Sequence, residues 1–499
     1  MNLECLTSME ADNAPFRLFP SLDLFSESLT SNEEITNTSI EGGNEWDSNS
    51  SPYSDNGSVD EEDEGSGDGA EDDSEVGGLS DDYEEFSDAI GSWEENFATH
   101  LFSRDRTSFP SLFASRALDF VHHVEAANGQ NVQGLNLTER EIVNLRSQRD
   151  LQYLKEGPRN DLNFPHLKTL KPPGRTKSLY KFQQTSNKVR TSIPHFQLRN
   201  LIHPISLSEV YYACSKHVGQ WNAVAQTTQE FMKFPTSMAS FLRAVEATSL
   251  AAHKEVVVLG GFLGEYGLRK IGSDDLPIQG LITDNATSGI TNHINIWETR
   301  SGILEAVFAN NDNYVRTMDL RSLQFLKTFP KFEFPVNCTA MSPDRRLRAI
   351  VGDNMNTFIT DASNSQLLTC LEGHKDFSFA CEWSEDWLFA TGNQDCTARI
   401  YDARNWSSPL LVFPTRYGAV RSLRFHGSEL AISEPADLVH VLDTRDLSQC
   451  QTLEFFGEIS GIGFVEDSLF IANAEPRISG LLEWRRTNSS EEGLWELTN

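Results

Sequence analysis

Residues 371–404 read LEGHKDFSFACEWSEDWLFATGNQDCTARIYDAR, and looser copies of this unit return along much of the chain. Within it an apolar strand, Leu388-Phe389-Ala390, runs into Thr391-Gly392 and a turn at Asn393-Gln394-Asp395. The alternating segment Thr397-Ala398-Arg399-Ile400-Tyr401-Asp402 follows, and a two-residue period belongs to a strand with one buried face. A unit this short cannot bury its apolar face alone, so copies must stack on one another.

The other copies are looser. Asn311-Asp312-Asn313-Tyr314-Val315-Arg316-Thr317-Met318-Asp319 superposes on Gln394–Asp402, with Asp312 at the turn. Met341-Ser342-Pro343-Asp344 reads as a hairpin between two strands. Val420–Asp443 closes on Val439-His440-Val441-Leu442-Asp443, and Ile459–Trp484 carries strands around Leu469-Phe470-Ile471-Ala472 and Leu481-Leu482-Glu483-Trp484. Val256–Leu259 and Ile294-Asn295-Ile296-Trp297-Glu298 add two strand signals upstream. The repeat region, residues 195–486, is 292 residues long. Seven units of about 42 residues fit it, within the ~40–45 of a four-stranded repeat. Six units are also compatible with the weak boundaries between 195 and 290. Leu179-Tyr180-Lys181-Phe182 is a candidate terminal strand for the last unit.

The unit at 371–404 resembles a WD repeat, with its Gly373-His374 start and Trp-Asp-like Tyr401-Asp402 end. The likeness covers about 60% of the chain and is specific in two or three repeats. It implies an all-β WD-repeat β-propeller with seven blades, or six. It also implies a buried hydrogen-bond chain of His374, Thr391, Asp395 and Tyr401, with Tyr in place of the usual Trp. A His/Asp/Thr set invites a catalytic reading, but in such a blade these groups satisfy one another in the interior. GEISGIGFVEDSLFIANAEPRISGLLEWRR (457–486), with GGFLGEYG and GITNHINIW upstream, resembles uncharacterised fungal WD-repeat proteins whose C-terminal blade is a domain of unknown function. That likeness implies no activity.

Charge divides the chain sharply. Of 73 acids and 41 bases, the first 100 residues hold 28 acids and Arg17 alone, which leaves 45 acids and 40 bases for the rest. Residues 1–85 are expected to be a disordered acidic arm, since DEEDEGSGDGAEDDSE at 60–75 has little to bury against its chain entropy. A polyanion repels nucleic acid and anionic lipid, so neither is an expected partner. Ser31, Ser58 and Ser92 each have Glu three residues on, a pattern suited to phosphorylation by an acid-directed kinase.

Short helices are expected over 86–160. Phe86, Ile90, Trp93, Phe97 and Leu101 share one helix face, which either packs on the domain or docks on a partner. Thr138-Glu139-Arg140-Glu141 reads as a capping box opening a helix through about Tyr153. A basic linker follows at 161–194, within an acid-free run from 162 to 208. Its bases are dispersed without an aromatic platform, so a solvated linker facing the arm competes with a nucleic-acid patch. The region 487–499 is a tail.

Chemistry is chiefly conspicuous by missing motifs. No nucleophile elbow, zincin or phosphate-loop signature occurs. Val256–Gly264 runs into glycines without the helix a dinucleotide requires. The seven cysteines are odd in number and widely spaced, and His122-His123 lacks spaced partner ligands, so no disulfide framework, metal or cofactor is expected. The N-terminus lacks a basic and an apolar region of a secretory leader, and no apolar run reaches the ~18 residues of a membrane span. The expectation is a non-catalytic protein-interaction scaffold of the cytoplasm or nucleus, with proteins as partners and no small-molecule substrate. The alternative is a substrate receptor of a cullin-RING ubiquitin ligase. It rests on Asp402 with Arg404 and Asp443 with Arg445, which resemble the endings by which some WD proteins dock on the ligase adaptor. The same ending recurs at Asp319-Leu320-Arg321 and, with Glu, at Glu298-Thr299-Arg300.

Overall fold

The repeat units become strands because their apolar runs are bounded by side chains that satisfy the turn backbone. In the computed structural model, which describes residues 118–130, 137–156, 178–195, 197–234, 245–285 and 287–487, Ser342 Oγ accepts from Leu347 N at 2.9 Å and donates to Asp344 at 2.7 Å. This holds the Ser-Pro-Asp hairpin that joins β14 (Val336–Met341) to β15 (Leu347–Gly352). At the other end of four units a strand-terminal Asp caps the turn. Oδ1 of Asp319, Asp361, Asp402 and Asp443 accepts the backbone N–H two residues on, at 2.8, 2.8, 2.9 and 2.9 Å. The Asp that ends a repeat is therefore a turn-former.

The fold is all-β with two helices among the described residues. Each of five sheets is a four-stranded antiparallel meander. The first holds β2 (Ile202–Ser206), β3 (Glu209–Cys214), β4 (His217–Asn222) and β5 (Thr227–Lys233). The second holds β6 (Ala247–His253), β7 (Val256–Gly261), β8 (Glu265–Lys270) and β9 (Ile278–Leu281). The third holds β10 (Thr291–Glu298), β11 (Leu304–Asn310), β12 (Val315–Asp319) and β13 (Gln324–Thr328). β14 and β15 join β16 (Thr357–Asp361) and β17 (Leu367–Leu371) in the fourth, and β18 (Ser378–Trp383), β19 (Leu388–Asn393), β20 (Thr397–Asp402) and β21 (Leu411–Pro414) form the fifth.

The remaining seven strands are continuous through the long β25 (Cys450–Val465). Residues 450–458 of β25 pair with β24 (Ala436–Asp443), which follows β22 (Ser422–His426) and β23 (Glu429–Ser433) and completes a sixth four-stranded set. Residues 459–465 pair with β26 (Ser468–Asn473), then β27 (Gly480–Arg486), then β1 (Tyr180–Ser186), a seventh set. β1 lies within the segment assigned above to the basic linker, so strand structure begins before residue 195.

Apolar side chains pack between successive sets. Tyr211 and Phe231 meet Leu250 and Val257 across the first pair, and Phe389 and Trp383 meet Cys338 and Val351 across the fourth and fifth. Ile202, Val210 and Trp221 of the first sheet meet Phe470, Ala472 and Leu481 of the seventh. Gly461 permits that last approach, because a Cβ there would lie 2.7 Å from Ile202. Gly260 and Gly261, the nearest thing to a phosphate loop, lie inside β7, where added Cβ atoms would strike Thr291 and Glu265.

Helix α1 (Leu118–Ala127) and α2 (Glu139–Glu156) pack on the sixth and seventh sets. Thr138 caps α2: its N–H and hydroxyl both donate to Glu141, at 2.7 and 2.6 Å, and Glu141 N–H returns at 3.4 Å. Residues 1–85 and 86–101, with Ser31, Ser58 and Ser92, lie outside the described residues.

Candidate functional site: polar chains at the hairpins

In the fifth sheet the turn from β19 to β20 places Asp395 beside the loop that enters β18. His374 Nδ1 lies 2.9 Å from Asp395 Oδ2, and His374 Nε2 lies 2.8 Å from Thr391 Oγ1. Asp395 also accepts Lys375 N–H at 3.0 Å and Thr397 N–H at 3.0 Å, and its Oδ1 takes the Thr397 hydroxyl at 2.6 Å. Burial pulls the His374 pKa below its ordinary value despite the carboxylate. The neutral imidazole then donates from Nδ1 and accepts the Thr391 hydroxyl at Nε2. Burial alone would raise the Asp395 carboxyl, but the hydrogen bonds from His374, Thr397 and Lys375 hold it below its usual range.

The structure thus brings His374, Thr391 and Asp395 together and leaves Tyr401 out of their hydrogen bonds. Across the ladder Thr391 faces Arg399, whereas Tyr401 faces Phe389, one alternation further along. Tyr401 is buried among aromatic rings, 6.4 Å from Phe389 and 6.3 Å from Trp406. Thr397 supplies the additional link. Thr391 is wholly buried, so its hydroxyl has no approach for a substrate.

Comparable ties recur with different atoms. Glu434, also wholly buried, accepts the backbone N–H of Arg416, Tyr417 and Gly418 at 2.7, 2.8 and 2.8 Å, and lies 2.8 Å from His440 Nε2. Glu265 accepts from Glu246, Phe262 and Leu263 N–H at 3.1, 3.1 and 2.6 Å. Asp312 holds Arg316 at 2.7 Å, and Asp353 accepts from Asn337 Nδ2 at 2.8 Å. Sequence reasoning missed Glu265, Glu434 and Thr397. A polar residue in the hairpin before each third strand is the signal that finds them.

A second buried cluster joins α2 to the sheets. Arg149, 1% exposed, donates to Phe455 O at 3.1 Å and to Glu454 at 3.2 Å, with Asp437 at 4.0 Å. Tyr153 donates to Asp437 at 3.1 Å and stacks on Tyr417 with ring centroids 4.1 Å apart. Burial pushes Asp437 up to about 6, even with Arg149 beside it.

The adaptor-docking candidates lie at the opposite hairpins. Arg404 is exposed, but both arms of its fork, Nε and Nη2, reach Asp402 at 2.7 Å. Arg445 is exposed, and its N–H is capped by Asp443. Among the described residues, Cys338, Cys381, Cys396 and Cys450 are buried and Cys214 and Cys370 half-buried, and none forms a disulfide. No group of three His, Cys, Asp or Glu side chains among the described residues can hold a metal, and no described helix is long and apolar enough to cross a membrane.

No protein-family model matches the chain. An uncharacterized protein of Saccharomyces cerevisiae is 26% identical over 211 residues, covering 33% of this chain and 29% of that relative. Villidin of Dictyostelium discoideum is 32% identical over 88 residues, covering 16% of this chain and 5% of villidin. The chain therefore matches less than a third of the length of either curated relative.

Proposed function

We propose that residues 180–486 form a closed, seven-bladed propeller of the WD-repeat kind that serves as a non-catalytic scaffold for protein segments. The observation that carries this reading is the packing of the seventh set on the first. Leu201 N–H donates to Ser460 O at 3.1 Å, and β2 lies against β25. First strands also neighbour one another in the order β2, β6, β10, β14, β18, β22, β25, and this last contact supports a ring over an open row of sheets. The turn-capping Asp residues and the His374–Asp395 link support the WD assignment. The buried, neutral character of His374 and the inaccessibility of Thr391 support a structural role for that set. Arg404, engaged by its own Asp402, gives the ubiquitin-ligase reading no support.

The test is proximity labelling by the full chain in the cytoplasm and nucleus, compared with a Gly461→Trp variant that wedges the first and seventh sheets apart. A discrete set of proteins lost in the variant is expected. Identical labelling by both, or turnover on a hydrolase and transferase substrate panel, contradicts the reading.

A further inference from the structure

Residues 197–201 tie four first strands together. Asn200 O accepts Leu250 N–H of β6 at 2.8 Å, and Arg199 O accepts the Ser422 hydroxyl of β22 at 2.8 Å. Leu201 N–H reaches Ser460 of β25, and Asn200 Oδ1 accepts Arg424 Nη2 at 2.9 Å before the chain enters β2. Arg199 is held at this convergence with 4% of its surface exposed. Its Nη1 donates only to nearby backbone, His195 O at 3.1 Å and Leu198 O at 3.3 Å, and its Nε is buried without a hydrogen-bond partner. Among the described residues no carboxylate lies within ion-pair distance of Arg199. Arg421, 5% exposed and stacked 4.2 Å from the Phe379 ring, is close enough for both arginines to act electrostatically on His195.

We propose that this point of convergence binds a phosphate-sized oxyanion, free or carried by a small molecule, on the Nε–Nη2 edge of Arg199 with Arg421 as the second cation. A guanidinium taken out of water is stabilised by a counter-ion, and this edge matches two oxygens of a phosphate. Burial lowers His195 to about 3, with Arg199 and Arg421 adding to the effect, so the imidazole stays neutral. Burial likewise pulls Arg199 down to about 10, and Glu458 is the one acid that opposes this.

The experiment is calorimetric and thermal titration of the full chain with inorganic phosphate and with phenyl phosphate, at ionic strength matched with chloride. A saturable rise in melting midpoint with phosphate but not chloride is expected. Arg199→Gln and Arg421→Gln should each weaken apparent affinity at least ~10-fold, while the exposed Arg346→Gln behaves as wild type. Binding of phenyl phosphate would identify a carried group, and binding of inorganic phosphate alone a free ion. If Arg199→Gln folds poorly, Arg199→Lys keeps the charge without the fork and should still weaken binding. No saturable response in the wild type, or equal response in wild type and the Arg199 variants, overturns the proposal.

Discussion

In the fifth sheet the hairpin before the third strand is tied to the preceding loop by Asp395 and His374, whereas in the sixth Glu434 and His440 make the tie. The geometry is not the same. Asp395 takes one loop N–H, from Lys375, and two donors from Thr397 in its own hairpin. Glu434 takes three successive N–H groups of the loop at 416–418. The histidines differ as well, since His374 precedes its sheet while His440 lies within β24 and reaches Thr452 at 3.0 Å on its other side. What the two sheets share is the requirement that a buried anion collect the N–H groups a loop would otherwise strand. The residue that meets it is free to vary, which is why a motif marks one sheet clearly and its neighbour hardly at all.

That comparison orders a set of substitutions. Glu434→Ala should cost the most, about 3–5 kcal/mol in urea unfolding, because it removes a wholly buried carboxylate that gathers three backbone donors and His440. Asp395→Ala should cost about 1–3 kcal/mol by the same measurement. If the two losses are equal, the number of donors gathered is not what sets the scale.

Asp353, in the fourth sheet, provides a pH test. Burial pushes its carboxyl up to about 6, above the ordinary ~3.9 of an unfolded chain. The native state therefore holds the extra proton between these values. This contribution is present below about pH 4 and lost as pH rises through 6. Thermal melts from pH 4 to 7 should show wild type losing stability relative to Asp353→Asn, and parallel curves would refute the assignment.

Tyr401→Phe should cost about 0.5–1.5 kcal/mol, less than Asp395→Ala, because the ring stays packed and the hydroxyl, outside the His374 chain, loses only its hydrogen bond with Arg399. A loss equal to that of Asp395→Ala would return Tyr401 to the chain. Arg404→Ala is the smallest, with no measurable change in melting midpoint, since its ion pair with Asp402 is solvent-exposed.

These residues also show what was legible beforehand. The strand-ending Asp was visible at 319, 402 and 443 as the end of a repeat, whereas its role as a turn cap, with acceptor and donor two residues apart, emerged from the hydrogen bonds. The link from His374 to Asp395 spans 21 residues, half a repeat, and emerged through the resemblance. Tyr401 entered through the resemblance, at the place where Trp usually stands; the ladder sets it opposite Phe389, and Thr397 makes the further bonds to Asp395. Glu434 was not legible because its donors lie in a loop sixteen to eighteen residues away and carry no side-chain signature. β1 was read only as a four-residue candidate, Leu179–Phe182, because pairing with β27 joins segments about 300 residues apart. Arg149 escaped notice for a similar reason, as Glu454 and Asp437 lie roughly 300 residues along the chain.

The most direct test of ring closure is native-state hydrogen exchange at Leu201, whose N–H bonds Ser460 across the first and seventh sheets. If the seven sets form one closed ring, this amide exchanges through global unfolding, with the denaturant dependence of the Leu250 and Ile432 amides. Rapid, denaturant-independent exchange at Leu201 while those amides stay protected would mean that the ring is open at this seam.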